Sequence, residues 1–81
     1  MMILIPRAID MLFEINKKKY ITRKTCETSF GAMYYFLTYY LRKKGLIELA
    51  KVDGKTKYWK LSKKGKKVVQ LLNEIMEVIE E

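Results

Sequence analysis

The dipeptide Asp53-Gly54 lies between two runs of β-prone residues, Leu46 to Val52 and Lys55 to Ser62. An Asp-Gly pair accepts the positive φ angles of a tight hairpin turn, and few short signals constrain a local fold as firmly. The reading is therefore a two-stranded antiparallel hairpin. On its second strand Trp59 and Leu61 alternate with Tyr58 and Lys60, so one face packs on the rest of the chain while the other meets solvent or a ligand. Ile47 and Leu49 are expected to share the inward face. A lone hairpin is marginal in water, and 81 residues allow one domain, 1–81, so the flanking segments must supply its cover.

Those segments read as helices. Pro6 suits a first helical turn, and Ile5, Ile9, Leu12 and Phe13 follow at the spacing of one buried face, which predicts a first helix over 6–16. Lys17-Lys18-Lys19 interrupts the pattern, and Tyr20-Ile21 supplies one short strand. Thr22 can cap a short second helix, about 23–28, with Cys26 pointing inward. Ser29 can cap a third, in which Phe30, Tyr34, Leu37 and Leu41 recur at helical spacing. Arg42-Lys43-Lys44 and Gly45 close that helix with C-terminal charge and a left-handed residue. Ser62 caps a final helix, about 63–80, whose stripe Val68, Leu72, Ile75 and Ile79, flanked by Val69, Leu71, Met76 and Val78, is wider than one neighbour needs. The fold class is α+β, mainly helical.

The chain carries 17 Lys and Arg against 9 Asp and Glu, a net charge of +8 with no histidine, which favours a polyanionic partner. Placement sharpens this. Residues 42 to 67 hold eleven of the seventeen cations and only Glu48 and Asp53 against them, whereas the last fourteen residues hold Glu74, Glu77, Glu80 and Glu81 and no cation. A lone Cys26 cannot form an internal disulfide and suits a reducing cytoplasm, and no zinc-ligand cluster is present. The longest apolar run, 30–41, is short of the ~20 residues that a membrane span needs. An enzyme needs a base or nucleophile with a positioned partner, and the dispersed carboxylates here do not supply one. No catalysis, metal, cofactor or small-molecule effector is expected. Abundant Lys, Ile and Glu with few Asn, Gln or His is a bias of hyperthermophile proteins.

From Leu37 to Leu72 the chain resembles the winged helix-turn-helix domain. Leu41-Arg42-Lys43-Lys44-Gly45-Leu46-Ile47 looks like a recognition helix running into the first wing strand, and Asp53 to Gly65 looks like the wing and the cap after it. The wing is most similar to PadR-like and MarR-like regulators of archaeal type, with Leu61, a Ser62 cap and Gly65 three residues on. The resemblance implies that helix 3 enters the major groove of double-stranded DNA, that the wing lies along the backbone, and that the C-terminal helix joins a homodimer. The chain departs from the family in a shorter second helix and in an aromatic third helix with no charge before Arg42.

The candidate site follows from these faces. On helix 3 the groove-facing set is Ser29, Ala32, Tyr35, Phe36 and Tyr39, with the alternative that the three aromatics are core or are covered by a partner. Arg23 and Lys24 on helix 2 are candidate phosphate clamps, and Lys51, Lys55, Lys57 and Lys60 on the wing are candidate backbone contacts; the alternative is a solvated lysine face guarding an edge strand. Arg42, Lys43 and Lys44 are read as helix-end charges and left outside the site. Val68, Leu72, Ile75 and Ile79 are the candidate dimer seam. The function expected is that of a small dimeric transcriptional regulator. The alternatives are an architectural or chromatin DNA binder of low specificity, a winged helix used as a protein-interaction module, and RNA binding.

Overall fold

In a computed structural model, which describes residues 5–26 and 30–80, the chain is mainly helical with one two-stranded antiparallel sheet. Among the described residues the chain forms four α-helices, α1 (Pro6–Lys18), α2 (Arg23–Cys26), α3 (Tyr34–Lys43) and α4 (Lys63–Glu80), and a hairpin of β1 (Ile47–Asp53) and β2 (Thr56–Leu61) between α3 and α4 in sequence. The expected short strand at Tyr20-Ile21 is a single antiparallel bridge, in which Ile21 and Trp59 exchange both backbone N–H···O=C bonds at 3.0 and 2.9 Å.

Each helix end has a local cause. Pro6 opens α1 where a missing N–H is harmless, and α1 runs two residues past the expected end. Its buried stripe is Ala8, Met11, Leu12 and Ile15, with Ile5, Ile9 and Phe13 packed at the margin. The face is thus turned partway round from the one expected, because small Ala8 lets the helix approach its neighbours on that side. Thr22 and Thr25 bond reciprocally: the Thr22 N–H donates to Thr25 Oγ1 at 2.8 Å and the Thr25 N–H to Thr22 Oγ1 at 3.2 Å, a threonine version of the capping box. Gly31 has φ 54°, outside the α region, so the third helix enters through a 3₁₀ turn, Gly31–Met33, and becomes α-helical only at Tyr34. Its expected cap, Ser29, and the end of the second helix lie outside the described residues. At the other end Gly45, with φ 73°, lets the Leu46 N–H reach back to the Leu41 carbonyl at 3.0 Å and the Gly45 N–H to Arg42 at 2.9 Å, the paired bonds of a Schellman cap.

The hairpin pairs Ile47 with Leu61, Glu48 with Lys60 and Leu49 with Trp59; after an irregularity, Lys51 faces Tyr58, Val52 faces Lys57 and Asp53 faces Thr56. Ala50 is the extra residue of a bulge. Ile47, Trp59 and Leu61 are buried as expected, but Leu49 is 45% exposed. It shares the inward face with its cross-strand partner Trp59, yet the packing that buries Trp59 does not extend over it.

α3, β1 and α4 meet at one junction. The Ser62 hydroxyl accepts from the Gly65 N–H at 3.0 Å, capping α4, and donates to the Gly45 carbonyl at 2.6 Å, while the Ser62 N–H donates to the Leu46 carbonyl at 3.0 Å. Gly65 lies so close to that carbonyl that a Cβ would run into it. Gly65→Ala is therefore expected to destabilise the fold by about 1–3 kcal/mol, read as a fall in Tm of several degrees. An unchanged Tm would contradict the close approach.

Candidate nucleic-acid interface

Trp59 stands where the hairpin meets α3. Its indole N–H donates to the Tyr34 hydroxyl at 2.9 Å, and both rings are about 95% buried. Burial also holds the Tyr34 phenol above its ordinary pKa, partly offset by that hydrogen bond. Above the indole lies the Arg42 guanidinium, 5.1 Å from the ring centroid. Across the gap Arg23 sits 5.5 Å over the ring of Tyr35, which meets Tyr34 edge-on at 5.2 Å. These side chains enclose an open cleft of about 700 Å³ between α2, α3 and the hairpin. Arg23 and Lys24 line it from α2, Tyr34, Tyr35, Thr38 and Arg42 from α3, and Lys55, Thr56, Lys57 and Trp59 from the hairpin. Five cations converge there, and among the described residues no carboxylate lines it.

The structure thus gathers one part of the expected site and separates the rest. Ala32, Tyr35, Phe36 and Tyr39 are all exposed, the outward face that helical spacing predicts, while Phe30, Tyr34, Leu37 and Leu41 are buried. Only Tyr35 reaches the cleft. Phe36 lies against Tyr40 with centroids 6.0 Å apart, and Tyr39 lies under the Lys43 ammonium at 5.6 Å. Ser29 is outside the described residues.

The four hairpin lysines do not share a surface. Lys55 and Lys57 line the cleft. Lys60 stands on the opposite face of the sheet, 3.6 Å from its cross-strand partner Glu48, and Lys51 on that same face covers the Tyr58 ring at 4.5 Å. Alternation along β2 already sets Lys60 on the face opposite Lys57, and the bulge at Ala50 accounts for Lys51: strict alternation from Ile47 and Leu49 would aim it inward, and one extra residue flips it. Arg42, set aside as a helix-end charge, belongs to the cleft. The signal was present, since Arg42 follows Tyr35 by seven residues and lies two turns along the same helix face.

α4 divides in the same way. Val69 is buried and Val68 packs half-buried on the core, so Val68 serves the chain's own interior rather than a free seam. Leu72 is half-buried. Beyond it Ile75, Met76, Val78 and Ile79 are exposed, the last by 74%, and Glu74, Glu77 and Glu80 share this half of the helix. Among the described residues no helix is long and apolar enough to cross a membrane.

Cys26 is 1% exposed, and burial pushes its thiol up to about 11 from 9.0. A raised thiol pKa contributes stability that is intact below pH 9 and is lost as pH rises through about 11. Cys26 is accordingly a core residue and a poor nucleophile.

Comparison with known proteins finds no match: no family model, no curated protein and no solved structure corresponds to this chain. Two outcomes check the geometry. Tyr34→Phe, which strands the buried indole N–H, is expected to cost about 1–3 kcal/mol in denaturant unfolding, and a neutral effect would contradict that bond. Alkylation of Cys26 at pH 8 is expected to be slow in the folded chain and fast in urea; equal rates would contradict its burial.

Proposed function

We propose that this chain is a winged helix-turn-helix domain that binds double-stranded DNA, with α3 toward the major groove and the hairpin along the phosphate backbone, and that it acts as a small transcriptional regulator. The observation that carries this reading is the cleft: Arg23, Lys24, Lys55 and Lys57, from elements far apart in sequence, converge beside the exposed face of α3 with no carboxylate among its described lining. A duplex backbone runs as a row of anions, and a row of cations flanking a projecting helix complements it. The order of helices and hairpin is compatible with the winged helix. Nothing in the reading calls for catalysis, a cofactor or an effector.

In the same proposal the distal half of α4 joins a second copy into a homodimer. Leu72, Ile75 and Ile79 keep the three-then-four spacing of a helical seam. The acidic flank of that half suits a position away from DNA.

One observation favours a second reading, an architectural DNA binder of low specificity. Base edges are read best by Arg, Asn or Gln, and the exposed face of α3 before Arg42 presents Tyr35, Phe36 and Tyr39 instead.

The test is a titration of random and genomic-pool duplexes at several salt concentrations. The double variant Lys55→Ala, Lys57→Ala is expected to reduce the slope of log affinity against log salt by about 2, since each phosphate contact contributes about 0.9. Lys51→Ala with Lys60→Ala should change it little. Enrichment of a two-fold-symmetric sequence supports the regulator, and binding without enrichment supports the architectural protein. Wild-type protein that fails to bind duplex near physiological salt contradicts both. For the seam, Ile75→Glu is expected to convert a dimer to a monomer in sedimentation; a wild-type monomer contradicts it.

A further inference from the structure

Arg42 from α3 and Arg23 from α2 both line the cleft, each guanidinium laid on an aromatic ring, Trp59 at 5.1 Å and Tyr35 at 5.5 Å. Stacking occupies the face of a guanidinium and leaves its N–H edge free, which is the edge that grips two oxygens of a phosphate at once. The ion pairs among the described residues are Arg7 with Asp10, Lys18 with Glu14 and Lys60 with Glu48. Neither cleft arginine takes part in them. Of the other polar groups on the walls, the Trp59 N–H is committed to Tyr34 and the Thr38 hydroxyl to the Tyr34 and Tyr35 carbonyls at 2.9 and 3.2 Å, which leaves the Tyr35 and Thr56 hydroxyls beside the five cations. What the cleft offers a ligand is therefore mainly positive charge, with Lys55 and Lys57 closing its hairpin side.

We propose that this cleft seats the phosphodiester backbone of the duplex, with Arg42, braced on Trp59, as its principal anchor and Arg23, over Tyr35 in the same cleft, as a second contact to that backbone. The inference rests on the DNA-binding reading and adds to it a position: the backbone passes between α3 and the hairpin, not over the outer face of the sheet where Lys51 and Lys60 stand. It also assigns the burial of Trp59 a second role. The ring that locks the hairpin to α3 holds the anchoring arginine at a fixed angle, so docking does not have to order a long free side chain.

The experiment measures duplex affinity by fluorescence anisotropy over a range of salt for wild type, Arg42→Gln, Arg42→Lys, Arg23→Gln and Lys60→Ala, with Trp59 emission and thermal melting confirming that each is folded. Arg42→Gln is expected to weaken binding about tenfold on every sequence and to lower the salt slope by about 1. Arg42→Lys should keep the slope and lose part of the affinity, because the charge survives and the planar edge does not. Arg23→Gln, remote from Trp59, should lower the slope in the same sense, and Lys60→Ala should match wild type. Wild type that binds duplex while folded Arg42→Gln and Arg23→Gln keep its affinity and slope overturns the seat and leaves DNA binding standing. Wild type that does not bind duplex overturns both.

Discussion

The indole of Trp59 ties the hairpin to the helices on every side. Its backbone exchanges two hydrogen bonds with Ile21, which pins the segment between α1 and α2 to β2. Its N–H reaches Tyr34 at the start of α3, and its ring face carries the Arg42 guanidinium at the end of that helix. One buried ring thus fixes the hairpin along the whole length of α3, and the space left between them is the cationic cleft. An indole buried without an acceptor would lose about as much free energy as its burial gains, so the Tyr34 hydroxyl is what makes this packing possible. The Ser62 and Gly65 junction holds the base of the hairpin in the same way, by backbone contact too close for a side chain.

Charge is sorted by this frame. Mutual repulsion among Arg23, Lys24, Arg42, Lys55 and Lys57 opposes folding, and hydration and the aromatic faces beneath the two arginines moderate it. An anion in the cleft relieves that repulsion, so ligand binding and stability are coupled there. The far half of α4 has the opposite character, apolar on one side and acidic on the other, which keeps one molecule's two exposed surfaces from competing for the same partner.

Much of the fold was legible because it is written in local chemistry. Asp53-Gly54 marks the hairpin, Ser62 and Gly65 mark the start of α4, and Gly45 marks the end of α3, each through a backbone angle or a cap that few residues satisfy. The core face of α3 followed from spacing alone. What was not legible depends on three dimensions. A bulge cannot be seen in alternating residues, so the four wing lysines read as one group although Lys51 and Lys60 stand on the face away from the cleft. The coverage of Leu49 depends on how far the packing over its partner Trp59 reaches across the sheet. Arg42 was assigned to the helix end because its one-dimensional context, a cationic run before glycine, already explained it; only the arrival of Trp59 from 17 residues away in sequence gives it a place in the cleft.

The central claim is that the cleft between α2, α3 and the hairpin is the surface that meets DNA, and amide chemical-shift mapping of the labelled chain during titration with a short duplex tests it most directly. The account predicts that the largest shifts fall on Arg23, Thr38, Arg42 and 55–57, together with the Trp59 indole N–H, while Glu48, Lys60 and the distal half of α4 stay in place. Shifts confined to the outer face of the sheet or to α4, with the Trp59 indole unmoved at saturation, would contradict it.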